Sequence, residues 1–209
     1  RITPMTPLIV LEAKACPLPL DNVDTDQLIP ARFMKRPRSD GYGQFLLHDL
    51  RQDAANPASL LDDDRFSGCE ILIAGRNFGC GSSREAAVYA LADFGFRCVI
   101  ASGFGDIFAS NAVKNGVLPA LVSAEQAEAL LADDSIRQGA PIRIDLPGQH
   151  IRIGNHSIDF AIDPVWKTQL LNGWDDIDMT VSYAGAIARF NQSDALARPW
   201  AQPDRSPAQ

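Results

Sequence analysis

The chain has 209 residues, 46% hydrophobic and 22% charged, with a formal net charge of −7. That length suits one substantial core, or one domain with a tail, and the composition is ordinary for a globular protein. The acidic balance excludes a nucleic-acid binder, which needs a basic face for phosphates, yet allows a small anionic ligand held by a local arginine.

In chain order, Leu8–Lys14 predicts a first strand. Residues 31–68 hold no convincing periodic element and are rich in Arg, Asp, Gly and Pro; a connection this long inside one domain is functional or disordered. Cys69–Ala74 is a short apolar run, followed by a glycine turn, a helix over 83–94 that stops at Gly95, and a strand from Arg97 to Ala101. This βαβ unit implies parallel strands and a right-handed crossover. A second helix is predicted from Gly105 to Asn115, then a strand over 118–122. Ser123 with Gln126 makes a capping box for a helix over 125–132.

After Pro141 the pattern alternates with period two, and Gln149–Ile153, Gly154-Asn155 and Ser157–Ile162 predict a hairpin. Asp163-Pro164 is an N-cap and N1 pair for a helix ending at Gly173, and a last helix spans 178–190. From Asn191 the polar, proline-containing remainder predicts a tail, with Trp200 inside it. The expected organisation is therefore one domain over 1–190 and a polar tail over 191–209.

The four cysteines, at 16, 69, 80 and 98, show no C-x-x-C spacing and no histidine at ligand spacing, so no metal is assigned to this chain. His48, His150 and His156 read as surface or structural residues. No run approaches the ~18–20 apolar residues of a membrane span, and no signal-peptide pattern opens the sequence; the expected compartment is the cytoplasm.

The chemistry gathers at residues 77–85, Asn-Phe-Gly-Cys-Gly-Ser-Ser-Arg-Glu. Glycines 79 and 81 permit backbone shapes that a side chain obstructs, and the helix that follows offers free N–H groups and the positive end of its dipole to an anion. Arg84 adds a planar fork suited to a carboxylate or phosphate. Ser82 with Glu85 also fits S-x-x-E, a plain helix cap, and spacing alone leaves cap and catalyst both open. The dinucleotide fingerprint lacks its third glycine, the P-loop its Gly-Lys-Ser/Thr ending, and the hydrolase elbow its closing glycine.

The run GCGSSRE resembles the active-site loop of the aconitase superfamily, in its mobile C-terminal swivel domain. Further stretches resemble the small-subunit family of 3-isopropylmalate dehydratase: Asn22 to Pro30, Gly41-Tyr42-Gly43 through His48 to Arg51, Asp106-Ile107-Phe108 with Asn111, and Leu171 to Ile177. The matches follow family order from about residue 8 to about residue 190.

The resemblance implies an α/β fold, a swivelling β/β/α three-layer domain around a mixed, partly closed sheet. It implies a hydro-lyase that isomerises 2-isopropylmalate to 3-isopropylmalate by dehydration and rehydration in leucine biosynthesis. Ser82 would be the catalytic base, acting as alkoxide, with Ser83 and Arg84 on substrate carboxylate. Phe33 and Met34 would meet the substrate's apolar group, and Asp26 would support the site as a hydrogen-bond partner. The [4Fe–4S] cluster would sit in a large aconitase-like partner subunit, without which this chain is inactive.

Two departures bear on the substrate. The family usually has histidine after S-S-R-E, where this chain has Ala86, and the segment Ala31–Arg38 is unusually basic. A related hydro-lyase for another branched or methylated malate-type acid is therefore the alternative. A non-catalytic phosphate- or nucleotide-binding α/β module is the reading from another class. The glycines and missing periodicity of residues 31–47 predict a segment that orders only with partner and substrate.

Overall fold

The computed structural model describes residues 5–201. Its strands are β1 (Val10–Leu18), β2 (Ile71–Ala74), β3 (Cys98–Ala101), β4 (Leu118–Leu121), β5 (Pro141–Asp145), β6 (His150–Ile153) and β7 (His156–Asp159). They form one mixed sheet in the order β4-β3-β2-β1-β5-β6-β7. The middle strand, β1, does two jobs. Val10–Lys14 pairs antiparallel with β5, and Ala15–Leu18 pairs parallel with β2. The strand expected over Leu8–Lys14 begins earlier and is shorter, because the pairing that carries β1 to Leu18 comes from strands remote in sequence.

The sheet curls until its ends meet. Beyond β7, Ala161 exchanges two backbone hydrogen bonds with Leu121 at the end of β4, at 2.7 and 3.1 Å. This is the mixed, partly closed sheet that the resemblance implies. β2 and β3 are buried along their whole length, as strands covered on both faces must be.

The helices are α1 (Thr25–Leu28), α2 (His48–Arg51), α3 (Glu85–Phe94), α4 (Asp106–Lys114), α5 (Ala124–Ala132), α6 (Asp134–Arg137), α7 (Pro164–Asn172), α8 (Asp176–Ser182) and α9 (Ala184–Ala197). On one sheet face a core of Leu18, Leu72, Phe78, Val88, Leu91 and Phe96 is closed by α3 and by residues 42–66. On the other, Ile71, Ile73, Ile100, Leu130, Ile142 and Leu170 pack beneath α5 and α7.

Residues 31–68 are not a loose loop. Five short 3-10 turns and α2 carry Tyr42, Phe45, Leu46, Leu47, Leu61 and Phe66 into the core. The structure differs here from the expectation of a segment that orders only with partner and substrate: these residues are folded onto the core of the chain itself. Three arginines of its basic stretch are engaged inside the chain: Arg38 binds Asp93 at 2.8 Å, Arg32 pairs with Asp49, and Arg36 lies over the Phe45 ring.

The C-terminal end also differs from expectation. A single helix over 178–190 is instead α8 and α9, and helix continues through the polar stretch to Ala197. Polarity mimics a tail there, yet no Pro or Gly interrupts until Pro199, and Arg198 closes on Asp194 one turn back. Neither helix contains a buried residue, and Trp200 is exposed. Residues 202–209 of the expected tail lie outside the described residues.

Candidate functional site

The serine loop leaves the carboxyl end of β2, where open α/β sheets place their ligands. It is threaded between two neighbours. Phe78 N–H donates to Gly103 and Gly105 N–H donates to Phe78, each at 2.9 Å, which ties the loop to the start of α4. Gly79 N–H donates to Val23 at 2.7 Å, and Thr25 N–H to Cys80 at 3.0 Å, which ties it to the segment before α1. Gly79 has φ +72°, and a Cβ there would overlap the Phe108 ring, so glycine is required twice over.

The grip of residues 24–26 is the part the sequence did not disclose. Asp24 caps α1 in a full capping box with Gln27, which fixes Thr25 at the first helical position. Thr25 is 2% exposed, and its hydroxyl donates to the carbonyl of Ser82 at 2.9 Å. One residue on, Asp26 pairs with Arg84. The resemblance points to Asp26 but not to Thr25, whose one signal in the sequence is a β-branched hydroxyl between two acids.

Ser82 and Ser83 are exposed, and Arg84 is partly covered. The helix starts later than predicted, at Glu85, with Arg84 at the N-cap position and no side chain capping it. The capping reading of Ser82 therefore fails: in a box Glu85 would be the third residue of the helix, and it is the first. Among the described residues the Ser82 hydroxyl has no hydrogen bond. Ser82 and Arg84 line one wall of a cleft of about 190 Å³, with Gly79 and Gly81; Gly105, Asp106, Ile107 and Phe108 line the other. A hydroxyl, a guanidinium oriented by a carboxylate and a helix N-terminus thus meet at one opening, a set able to hold an anionic substrate beside a base.

Phe33 and Met34 are not among the residues lining this cleft. Phe33 stacks on Phe45 with centroids 4.3 Å apart and is flanked by His48, and both residues pack against the core. The turn that carries them is pinned by Arg32 and Asp49, and the Arg32 guanidinium, followed by His48, holds the Asp49 carboxyl at about 2. Ala86, in the first turn of α3, is partly buried against the core.

A larger cleft, about 710 Å³, lies beyond Glu85, among Arg38, Tyr89, Arg97 and Lys114. Its cations are committed: Arg38 to Asp93, Lys114 to Asp176 at 3.0 Å, and Arg97 to the carbonyls of Gly116 and Thr6. The smaller cleft, whose Arg84 is likewise paired with Asp26, differs in leaving the Ser82 hydroxyl and a helix end open. Among the described residues, no group of three or more His, Cys, Asp or Glu is placed to hold a metal ion. Cys16, Cys69 and Cys98 are buried, and burial pushes the Cys98 thiol up.

The aconitase C-terminal domain family matches residues 5–125. The 3-isopropylmalate dehydratase small subunit of Shouchella clausii is 45% identical over 189 residues, covering 89% of this chain and 95% of that protein. That of Agrobacterium fabrum is 44% identical, covering 91% and 97%. The crystal structure of 3-isopropylmalate dehydratase from Methanocaldococcus jannaschii superposes with a TM-score of 0.64 at 25% identity, over 87% of this chain and 99% of that one. The chain belongs to the 3-isopropylmalate dehydratase small-subunit family and carries the aconitase C-terminal domain.

Proposed function

We propose that this chain is the swivel half of a two-subunit hydro-lyase that converts 2-isopropylmalate to 3-isopropylmalate in the leucine pathway, and that it works in the cytoplasm. The observation that carries the proposal is the uncapped Ser82 hydroxyl beside Arg84, in a chain whose relatives bear that enzyme's small-subunit name.

Ser82, as alkoxide, takes the proton from the carbon next to a substrate carboxylate. The electron pair forms the carbon–carbon double bond, and hydroxide leaves the adjacent carbon. Readdition of hydroxide and proton with positions exchanged gives the isomer. Arg84 and Ser83 hold the carboxylate so that the alkene stays in place between the two halves. The guanidinium and the helix end favour the serine anion. Asp26 aims the Arg84 fork, and Thr25 fixes the backbone of Ser82.

When bound, a [4Fe–4S] cluster supplies the Lewis acid for the leaving hydroxide. The resemblance supports a seat for it on the large aconitase-like partner, and among the described residues of this chain no group of three or more His, Cys, Asp or Glu could hold a metal ion. Ala86, where the family usually has histidine, favours a related branched or methylated malate-type acid as the second reading. Reconstitution with the large subunit and assay against a panel of hydroxy-diacids tests both. Turnover of 2-isopropylmalate above the other acids is the expected outcome. Preference for another branched acid selects the second reading, and inactivity on all of them overturns the proposal.

A further inference from the structure

The serine cleft shares one wall residue, Asp106, with a second cleft of about 260 Å³ along the seam where the sheet closes. That second cleft is apolar, built from Phe104, Leu121, Ile162 and Trp166, with Asp106 and Asp163 as its acids. Of its lining, Leu121 is 41% exposed; Ile107, in the wall of the serine cleft, is 53% exposed, and Val165, next to Trp166 in the first turn of α7, is 54% exposed. Single exposed apolar residues need no explanation, but an open apolar cleft that shares a wall residue with a reactive one marks an interaction surface.

On the proposed function the serine cleft is half a site. It offers a base and one carboxylate grip, and the remaining substrate contacts must come from a chain that covers it and excludes water. Any chain seated over Ser82 meets Asp106 and Ile107, and the apolar cleft is next. We infer that the large subunit docks along this seam, placing an apolar side chain between Phe104, Leu121, Ile162 and Trp166 and basic residues against Asp106 and Asp163. The inference rests on the functional reading above. A second copy of this chain is the poorer occupant, because a two-fold contact would set the same two acids against each other in a chain of net charge −7.

Docking here bears on the reactive loop. The Phe104 ring lies parallel to Phe108 at 6.4 Å, Phe108 meets Phe78 edge-on at 5.4 Å, and Phe108 fills the space a Cβ on Gly79 would need. A partner pressing on Phe104 therefore supports the glycine turn that presents Ser82.

The test is titration of the full chain with the large subunit by calorimetry, comparing wild type with Leu121→Asp and Val165→Asp. Each substitution should weaken assembly by roughly tenfold or more, while kcat at saturating large subunit and the melting temperature of the isolated chain stay near wild type. Val165 lies on an exposed helix position and keeps the test decisive if Leu121→Asp fails to fold. Unchanged affinity in a folded variant overturns the inference. So does loss of affinity with Leu196→Asp alone, which would move the contact to α9, or loss of self-association with unaltered affinity for the large subunit. Full-affinity assembly that responds to these substitutions, without activity on any hydroxy-diacid, sinks the functional reading and leaves the surface standing. An active pair indifferent to them does the reverse.

Discussion

Ser82 and Ser123 each stand just ahead of a helix and three residues before a Glu or Gln, and the structure treats them differently. Ser123 accepts from Gln126 N–H at 3.2 Å while Gln126 accepts from Ser123 N–H at 2.9 Å, a closed capping box at the start of α5. Ser82 and Glu85 form no such box. Gly81, with φ +95°, and the bond from Thr25 to the Ser82 carbonyl turn the chain before a cap can close. Ser123 has only its own helix to satisfy. Ser82 is held from outside by a segment 57 residues away, and its hydroxyl is left over for other work. Local spacing proposes a cap, and tertiary contact decides whether it is used.

The comparison breaks most sharply at Ser82 itself. Ser82→Ala should lower kcat of the reconstituted enzyme by roughly 10²- to 10⁴-fold, the worth of a positioned base, with no loss of thermal stability. Near-normal kcat in that variant would end the catalytic assignment. Arg84→Lys keeps the charge but gives up the two-point grip and the pairing with Asp26; kcat/KM should fall roughly a hundredfold. Unchanged steady-state constants would place Arg84 on a solvated helix face.

Phe33 and Met34 sharpen the substrate question. Replacing both with smaller or polar residues should shift the kcat/KM ratio between branched and unbranched hydroxy-diacids by roughly 1–3 kcal/mol. Because Phe33 stacks on Phe45, equal loss on every substrate is the competing result and would make the pair structural. The smallest effect belongs to the other serine. Ser123→Ala should cost about 0.5–2 kcal/mol in denaturant unfolding and leave kcat alone.

The parts legible in sequence were those written locally. The βαβ unit announces itself through the short apolar runs around the period of α3, and α7 through Asp163-Pro164 and Gly173. The β6–β7 hairpin follows from alternation around Gly154. Residues 31–68 were illegible because 3-10 turns carry no 3.6-residue period, and what folds them is the burial of Tyr42, Phe45 and Phe66 against distant elements. At the site, the glycine turn and Arg84 could be read directly. Thr25 could not, since only its contact with the Ser82 backbone distinguishes it from a turn residue.

The double pairing of β1 sets an order of events during synthesis. Glu12 is made early, and its partner Arg143 follows 131 residues later. Until then β1 can pair with β2 but keeps its other edge bare, a row of unpaired amides and carbonyls beside apolar residues. Non-local pairing of this kind slows folding, and a nascent chain halted before Pro141 is the form most exposed to wrong partners. The same strand that joins the two halves of the sheet thus makes the emerging polypeptide dependent on its last strands, and on whatever shields that edge while they are awaited.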